Sequence, residues 1–180
     1  MHILMRSCTF LLAASLALSF SSNSYAQEAP QSLATETLFG DQVSSSARSL
    51  KSQQDLDNQL LAASKNGNLL KVRSLTFQSA NVNAKDQDEW TPLLWAVMNG
   101  HTDVARFLLA SGANPNTRNK YGWTPLMWAA GQGDSEIVRS LIARGARLNA
   151  QDRNGWTAVM WAWDGNQQEA IAILKSVNNK

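Results

Sequence analysis

The chain has 180 residues, 16 Lys and Arg against 14 Asp and Glu, two His, one Cys and seven Trp. That length suits one ordinary domain. So even a charge balance leaves no electrostatic footprint for nucleic acid and no polybasic membrane patch, and one cysteine cannot build a disulfide framework.

Met1 to Ser7 is short and carries Arg6, Cys8 to Phe20 is apolar, and Ser21 to Ala26 ends on Ser24 and Ala26 flanking Tyr25. This order predicts a secretory signal peptide over residues 1–26, cleaved after Ala26. The apolar run of thirteen residues falls short of the ~20 that a spanning helix needs, so no membrane insertion is expected after cleavage. Cleavage removes Cys8 and Arg6, leaving a cysteine-free chain with 15 basic and 14 acidic side chains. Export to the periplasm is the expected localisation, with full secretion as the alternative. Gln27 to about Gln54 is rich in Gln, Ser, Ala and Thr and poor in large apolar residues. It is expected to be a flexible lead-in (27–54), helical only near its end from about Ala47.

From residue 55 onward an internal period governs the sequence. Trp90, Trp123 and Trp156 are spaced by 33, and Trp95, Trp128 and Trp161 repeat the interval. Four units follow, at about 57–89, 90–122, 123–155 and 156–180, the first degenerate and the last short. Thr91 and Thr124 suit helix N-caps, and Pro92 and Pro125 follow where a missing N–H costs nothing. Leu93, Ala96 and Val97, then Leu126, Ala129 and Ala130, recur at helical spacing. Gly100 and Gly133 are placed to end that helix in a left-handed conformation. A second helix carries Val104, Leu108 and Leu109, then Ile137, Val138, Leu141 and Ile142, and Gly112 and Gly145 stop it. Asn116, Asn119, Asn149 and Asp152 suit the tight turns beyond.

A 33-residue period opening on T-P-L-x-x-A resembles the ankyrin family, over roughly Asp55 to Lys180. Thr91-Pro92-Leu93 and Thr124-Pro125-Leu126 match its opening, Gly100-His101 its Gly-His, and Gly112-Ala113 to Asn116 and Gly145-Ala146 to Asn149 its loop. Departures are Leu94, Met127 and Met160 at the family's histidine position, Ala158 for proline in the last unit, and Ser79 for glycine in the first. The resemblance implies an all-α solenoid of four stacked helix-turn-helix units joined by hairpin-like turns, stable only through stacking. The last helix keeps Ile171, Ile173 and Leu174, which reads either as imperfect capping or as a contact, including a homodimer through the C-terminal unit.

Chemistry is sparsely represented. His101 would be the one histidine of the processed chain and is expected to make a structural hydrogen bond. The acidic residues are scattered, and no phosphate loop or nucleophile elbow occurs. No catalytic residue, metal or cofactor is expected. The resemblance instead implies a binding face on the concave side, built from turn tips and first helices. By position the tips are Gln87 and Asp88, Lys120 and Tyr121, Arg153 and Asn154. Trp90, Trp123 and Trp156 precede each Thr and are expected to be exposed at a turn–helix junction, equivalent atoms lying about 8–10 Å apart. Trp95, Trp128 and Trp161 lie inside the first helices, with Met98 one turn after Trp95, and are expected either packed between helices or exposed. An exposed row of Trp is a strong interaction signal, so the expected partner is another protein. The alternative is an extended ligand such as a glycan, or a cationic group held over the rings.

Overall fold

The computed structural model describes residues 33–178, with side-chain environments from residue 49 to 177. The expected signal peptide lies outside the described residues. The chain divides between Phe39 and Gly40, and the repeats lie in the C-terminal unit, Gly40–Lys180.

Eight α-helices occur among the described residues: α1 (Leu33–Lys65), α2 (Leu69–Phe77), α3 (Pro92–Met98), α4 (Thr102–Ala110), α5 (Pro125–Gln132), α6 (Ser135–Ala143), α7 (Ala158–Asp164) and α8 (Gln168–Asn178). The lead-in departs from the expected loose segment, because α1 is already helical at Leu33, well before Ala47. The reason is local. No proline interrupts the sequence from Leu33 to Lys65, and helical hydrogen bonds join residues four apart without requiring a core. Among its described side chains, Leu60, Leu61, Ala63 and Ser64 are buried and Leu50 is exposed.

α1 leads into α2 through a tight turn (Asn68 N to Ala63 O, 3.0 Å), while α3 pairs with α4, α5 with α6 and α7 with α8. First helices pack on first helices and second on second through α3, α5 and α7 and through α2, α4, α6 and α8. The result is an all-α solenoid. Thr91 Oγ1 accepts from Leu94 N and Thr124 Oγ1 from Met127 N, both at 3.3 Å. Met127 returns the favour where the family would place histidine: its Sδ accepts from Thr124 N at 3.4 Å. Thr157 makes no such cap bond.

Gly100 shows how a unit turns. At φ +70° it lets its own N–H reach Val97 O (3.0 Å) and His101 N–H reach Ala96 O (2.9 Å), closing α3 in a Schellman motif. The same left-handed conformation recurs at the 33-residue interval, and in three places it falls on a side chain: Ser79 (φ 67°), Glu89 (φ 62°) and Asn166 (φ 54°). His101 makes a structural hydrogen bond through Nε2, 3.0 Å from Lys65 O at the end of α1.

One core runs the length of the stack. Leu60, Val72, Leu93, Leu108, Leu126, Ile137, Leu141 and Leu174 are among its buried residues. The alanines of the first helices (Ala96, Ala129, Ala130, Ala162) are wholly buried, which keeps those helices thin enough to stack. Asparagines stitch unit to unit: Asn83 Oδ1 accepts from Asn114 N and Asn116 Oδ1 from Arg147 N, both at 2.8 Å.

Candidate partner-binding face

The turns between units are built on one side chain each. Asp86 Oδ1 accepts from Asp88 N and Trp90 N, both at 2.9 Å. Asn119 Oδ1 accepts from Tyr121 N and Trp123 N (3.0 and 3.1 Å), and Asp152 Oδ1 from Asn154 N and Trp156 N (2.8 and 2.9 Å). Such Asx turns hold the tips in a hairpin. Neighbouring tips are joined by backbone bonds, Lys120 N to Asp88 O (3.1 Å) and Arg153 N to Tyr121 O (3.2 Å). Lys120 Nζ also pairs with Asp88 at 3.1 Å. Gln87, Asp88, Lys120, Tyr121, Arg153 and Asn154 are all exposed.

The carboxylates do a second job. Trp95 Nε1 donates to Asp86 Oδ2 (3.0 Å) and Trp161 Nε1 to Asp152 Oδ2 (3.2 Å). One aspartate therefore fixes both the turn and the ring nine residues on. This tether escapes a reading that treats the acids as scattered, although its signal is in the sequence: an Asp or Asn recurs nine residues before each helical Trp.

Six of the seven tryptophans form one contiguous cluster rather than a row of separate rings. Trp90 stacks on Trp95 at 4.6 Å between centroids, and Tyr121 on Trp123 at 4.7 Å. Trp123 also meets Trp128 (5.3 Å), Trp161 (5.8 Å) and Trp90 (6.3 Å), while Trp128 meets Trp161 (5.6 Å) and Trp156 meets Trp161 (6.3 Å). The equivalent rings of Trp90 and Trp123 and of Trp128 and Trp161 are thus closer than the expected 8–10 Å.

The expectation that Trp90, Trp123 and Trp156 are all exposed is corrected. Trp90 is only 7 % exposed, Trp123 is partly buried, and Trp156 alone is open at 40 %. A turn–helix junction places no packing demand of its own, but here the helical Trp of the same unit and the rings of the next unit cover Trp90. Trp95, Trp128 and Trp161 are partly buried between the first helices, and Met98 is partly buried as well. Open aromatic surface lies at Tyr121 and Trp156, and Met160 and Trp163 of α7 are exposed as well.

The protein's own cations sit on two rings. Lys65 Nζ lies 4.3 Å from the Trp95 centroid, and Lys175 Nζ 5.2 Å from that of Trp163. Lys65 stands one period before Met98, so the first unit supplies a cation where the second supplies a thioether. At the first tip, a hydrogen bond and the charge of Lys85 (Nζ–Oε2 2.9 Å) hold the Glu89 carboxyl below the usual carboxylate range, with smaller help from Lys120 and Arg153.

Residues 60–152 and again 107–180 match the family profile described as Ankyrin repeats (3 copies). The chain belongs to the ankyrin-repeat family. No curated protein matches it. Ankyrin-repeat proteins generally act as scaffolds for protein interaction, and the fold is non-catalytic. Among the described residues no group of three or more His, Cys, Asp and Glu is placed to hold a metal ion. No described helix of this ankyrin stack is long and apolar enough to cross a membrane.

Proposed function

We propose that this ankyrin protein is an exported, non-catalytic binding module that holds another protein against its tips and first helices, with the tryptophan cluster as the anchor. The observation that carries this reading is the cluster's form: six indoles in mutual contact across three units, leading out to exposed Tyr121 and Trp156. Rigid aromatic side chains with a packed surround are what interface hot spots are made of. The cationic alternative is the weaker one, because Lys65 and Lys175 already occupy Trp faces. A glycan would need open, parallel ring faces, whereas several of these rings meet edge to face. Export rests on residues 1–26, and the periplasm follows from the cysteine-free composition beyond them.

The test is affinity capture from envelope or extracellular extract with paired variants. Trp156→Ala with Tyr121→Ala should abolish capture and, since each ring also contacts the cluster, lower the melting temperature by a few degrees without unfolding the stack. Phe77→Ala, 91 % exposed on α2, should still capture the same protein. Equal capture by the paired variant and by Phe77→Ala would place the interface elsewhere.

A further inference from the structure

The middle turn breaks the tether that the turns on either side keep. Asp86 and Asp152 each give one oxygen to the turn and the other to an indole N–H. In the middle the residue is Asn119. Its Oδ1 is committed to Tyr121 N and Trp123 N, so the end of the side chain that should accept from an indole is Nδ2, a donor. The ring nine residues on, Trp128, is a donor too. Neither Asn119 Nδ2 nor Trp128 Nε1 finds an acceptor among the protein's atoms, and both are buried. Asn119 as a whole is 4 % exposed. Flipping the amide gives no remedy, since it would sacrifice two turn bonds for one. Two donors stand where the neighbouring turns pair a donor with an acceptor, and buried donors are ordinarily satisfied.

We propose that this donor pair is the polar anchor of the aromatic face and takes a neutral carbonyl oxygen from the bound partner, a backbone or side-chain amide. The proposal deepens the binding reading above and rests on it. A carbonyl oxygen has two lone pairs, enough for both donors. A carboxylate would meet the same geometry but would place a third negative charge between Asp86 and Asp152 in an apolar layer, at a high desolvation cost. Both donor atoms are closed to solvent in the isolated chain, so entry of the oxygen requires a shift of the Trp128 ring, which is partly exposed and whose N–H is untied. Trp95 and Trp161 are held by their carboxylates. The aromatic rings around Trp128 exclude water from the bond once it forms, so it discriminates strongly against a partner that offers no acceptor there.

The experiment is proton NMR of the nitrogen-labelled full chain, with N,N-dimethylacetamide as an acceptor-only probe and acetate as its charged counterpart. Dimethylacetamide should move the Trp128 indole proton and the Asn119 amide protons saturably, and leave the indole protons of Trp95 and Trp161 in place. Asn119→Asp keeps the turn, as Asp86 and Asp152 do. It should abolish the response and slow exchange of the Trp128 indole proton about tenfold, the worth of one ordinary hydrogen bond. Trp128→Phe keeps a ring without the donor and should weaken the Asn119 response. Three results would overturn the proposal: a Trp128 proton already as protected as those of Trp95 and Trp161 and unmoved by the probe, the mark of a bridging water only; a larger response to acetate than to the amide; or an unchanged response in Asn119→Asp. These readings use the isolated protein. If they hold while capture of a protein partner fails, the scaffold reading falls and the amide site stands.

Discussion

Met127 and Met160 hold the same place in consecutive units, yet one is 1 % exposed and the other 44 %. Trp90 and Trp156 differ in the same sense, and so do Ala130, fully buried, and Trp163, exposed. Each pair occupies equivalent backbone positions in different units. What differs is the neighbour. α5 lies between α3 and α7, whereas α7 packs on α5 and α8. A repeat sequence specifies the conformation of its unit, and the next unit decides which of its apolar side chains are core and which are surface.

The largest test of that contrast is the methionine pair. Met127→Ala should cost about 2–5 kcal/mol of unfolding free energy, the range for large-to-small changes at a closed site. Met160→Ala, with nearly half its surface already in water, should cost less than about 1 kcal/mol. Comparable losses in denaturant melts would mean that α7 is covered in solution, which would support association through the last unit.

The tryptophans sharpen the contrast next. Trp123 touches four aromatic rings, so Trp123→Ala should lose on the order of 3 kcal/mol of stability. It therefore cannot serve as a clean test of binding. Trp156→Ala should lose no more than about 1 kcal/mol, which makes it the substitution that separates recognition from folding.

Two glycines divide along the same line. A methyl group at Gly165 would run into the carbonyl oxygen of Gly131 where α7 passes α5, and Gly165→Ala should cost about 1–3 kcal/mol. Gly131 lies inside α5, where an added Cβ would sit 3.4 Å from Trp161 Cε3, an ordinary contact. Gly131→Ala should raise stability by up to ~1 kcal/mol through helix propensity. Thermal melts in the reverse order would show that α5 and α7 are not so closely apposed.

Smaller gains are available where the left-handed positions carry side chains. Ser79 holds φ 67° after α2, where the second and third units use Gly112 and Gly145. Ser79→Gly should stabilise by a fraction of a kcal/mol, the relief of strain exceeding the added chain entropy. The smallest effect concerns pH. The Glu89 carboxyl titrates lower in the folded chain than in the unfolded one, so its stabilising contribution is present above the ordinary carboxylate pKa and fades as pH falls through the folded value. The pair lies on the surface, each side chain about half exposed, so Lys85→Ala should return the Glu89 titration towards normal by NMR with a barely measurable change in melting temperature.

The legible part of the fold was what repeats. Thr-Pro caps, Gly stops and apolar spacing are local instructions, and Thr91, Thr124, Gly100, Gly133, Leu93 and Leu126 all stand where those instructions put them. The candidate face was legible as a set of residues but not as a surface. Position along the repeat put Trp90, Trp123 and Trp156 at one kind of junction. It could not say that Trp95 would stack on Trp90 and close it off. Nor could Met98, one turn from Trp95, foretell that Lys65 would lie on that ring. The early helix at Leu33 was missed for the opposite reason: a polar composition argues against a core, and a helix needs none.

By itself the sequence determined the period, the helix pairs, the turn chemistry and the family, because each is set by contacts within about one unit of chain. The tertiary structure alone decided which equivalent side chains are buried, how six indoles meet in one cluster, and where the hydrogen bonds of that cluster fail to close. The physical reason is that burial and pairing belong to the space between units. A side chain specifies its reach and its donors, and only the stacked neighbour supplies the surface or the acceptor that completes them.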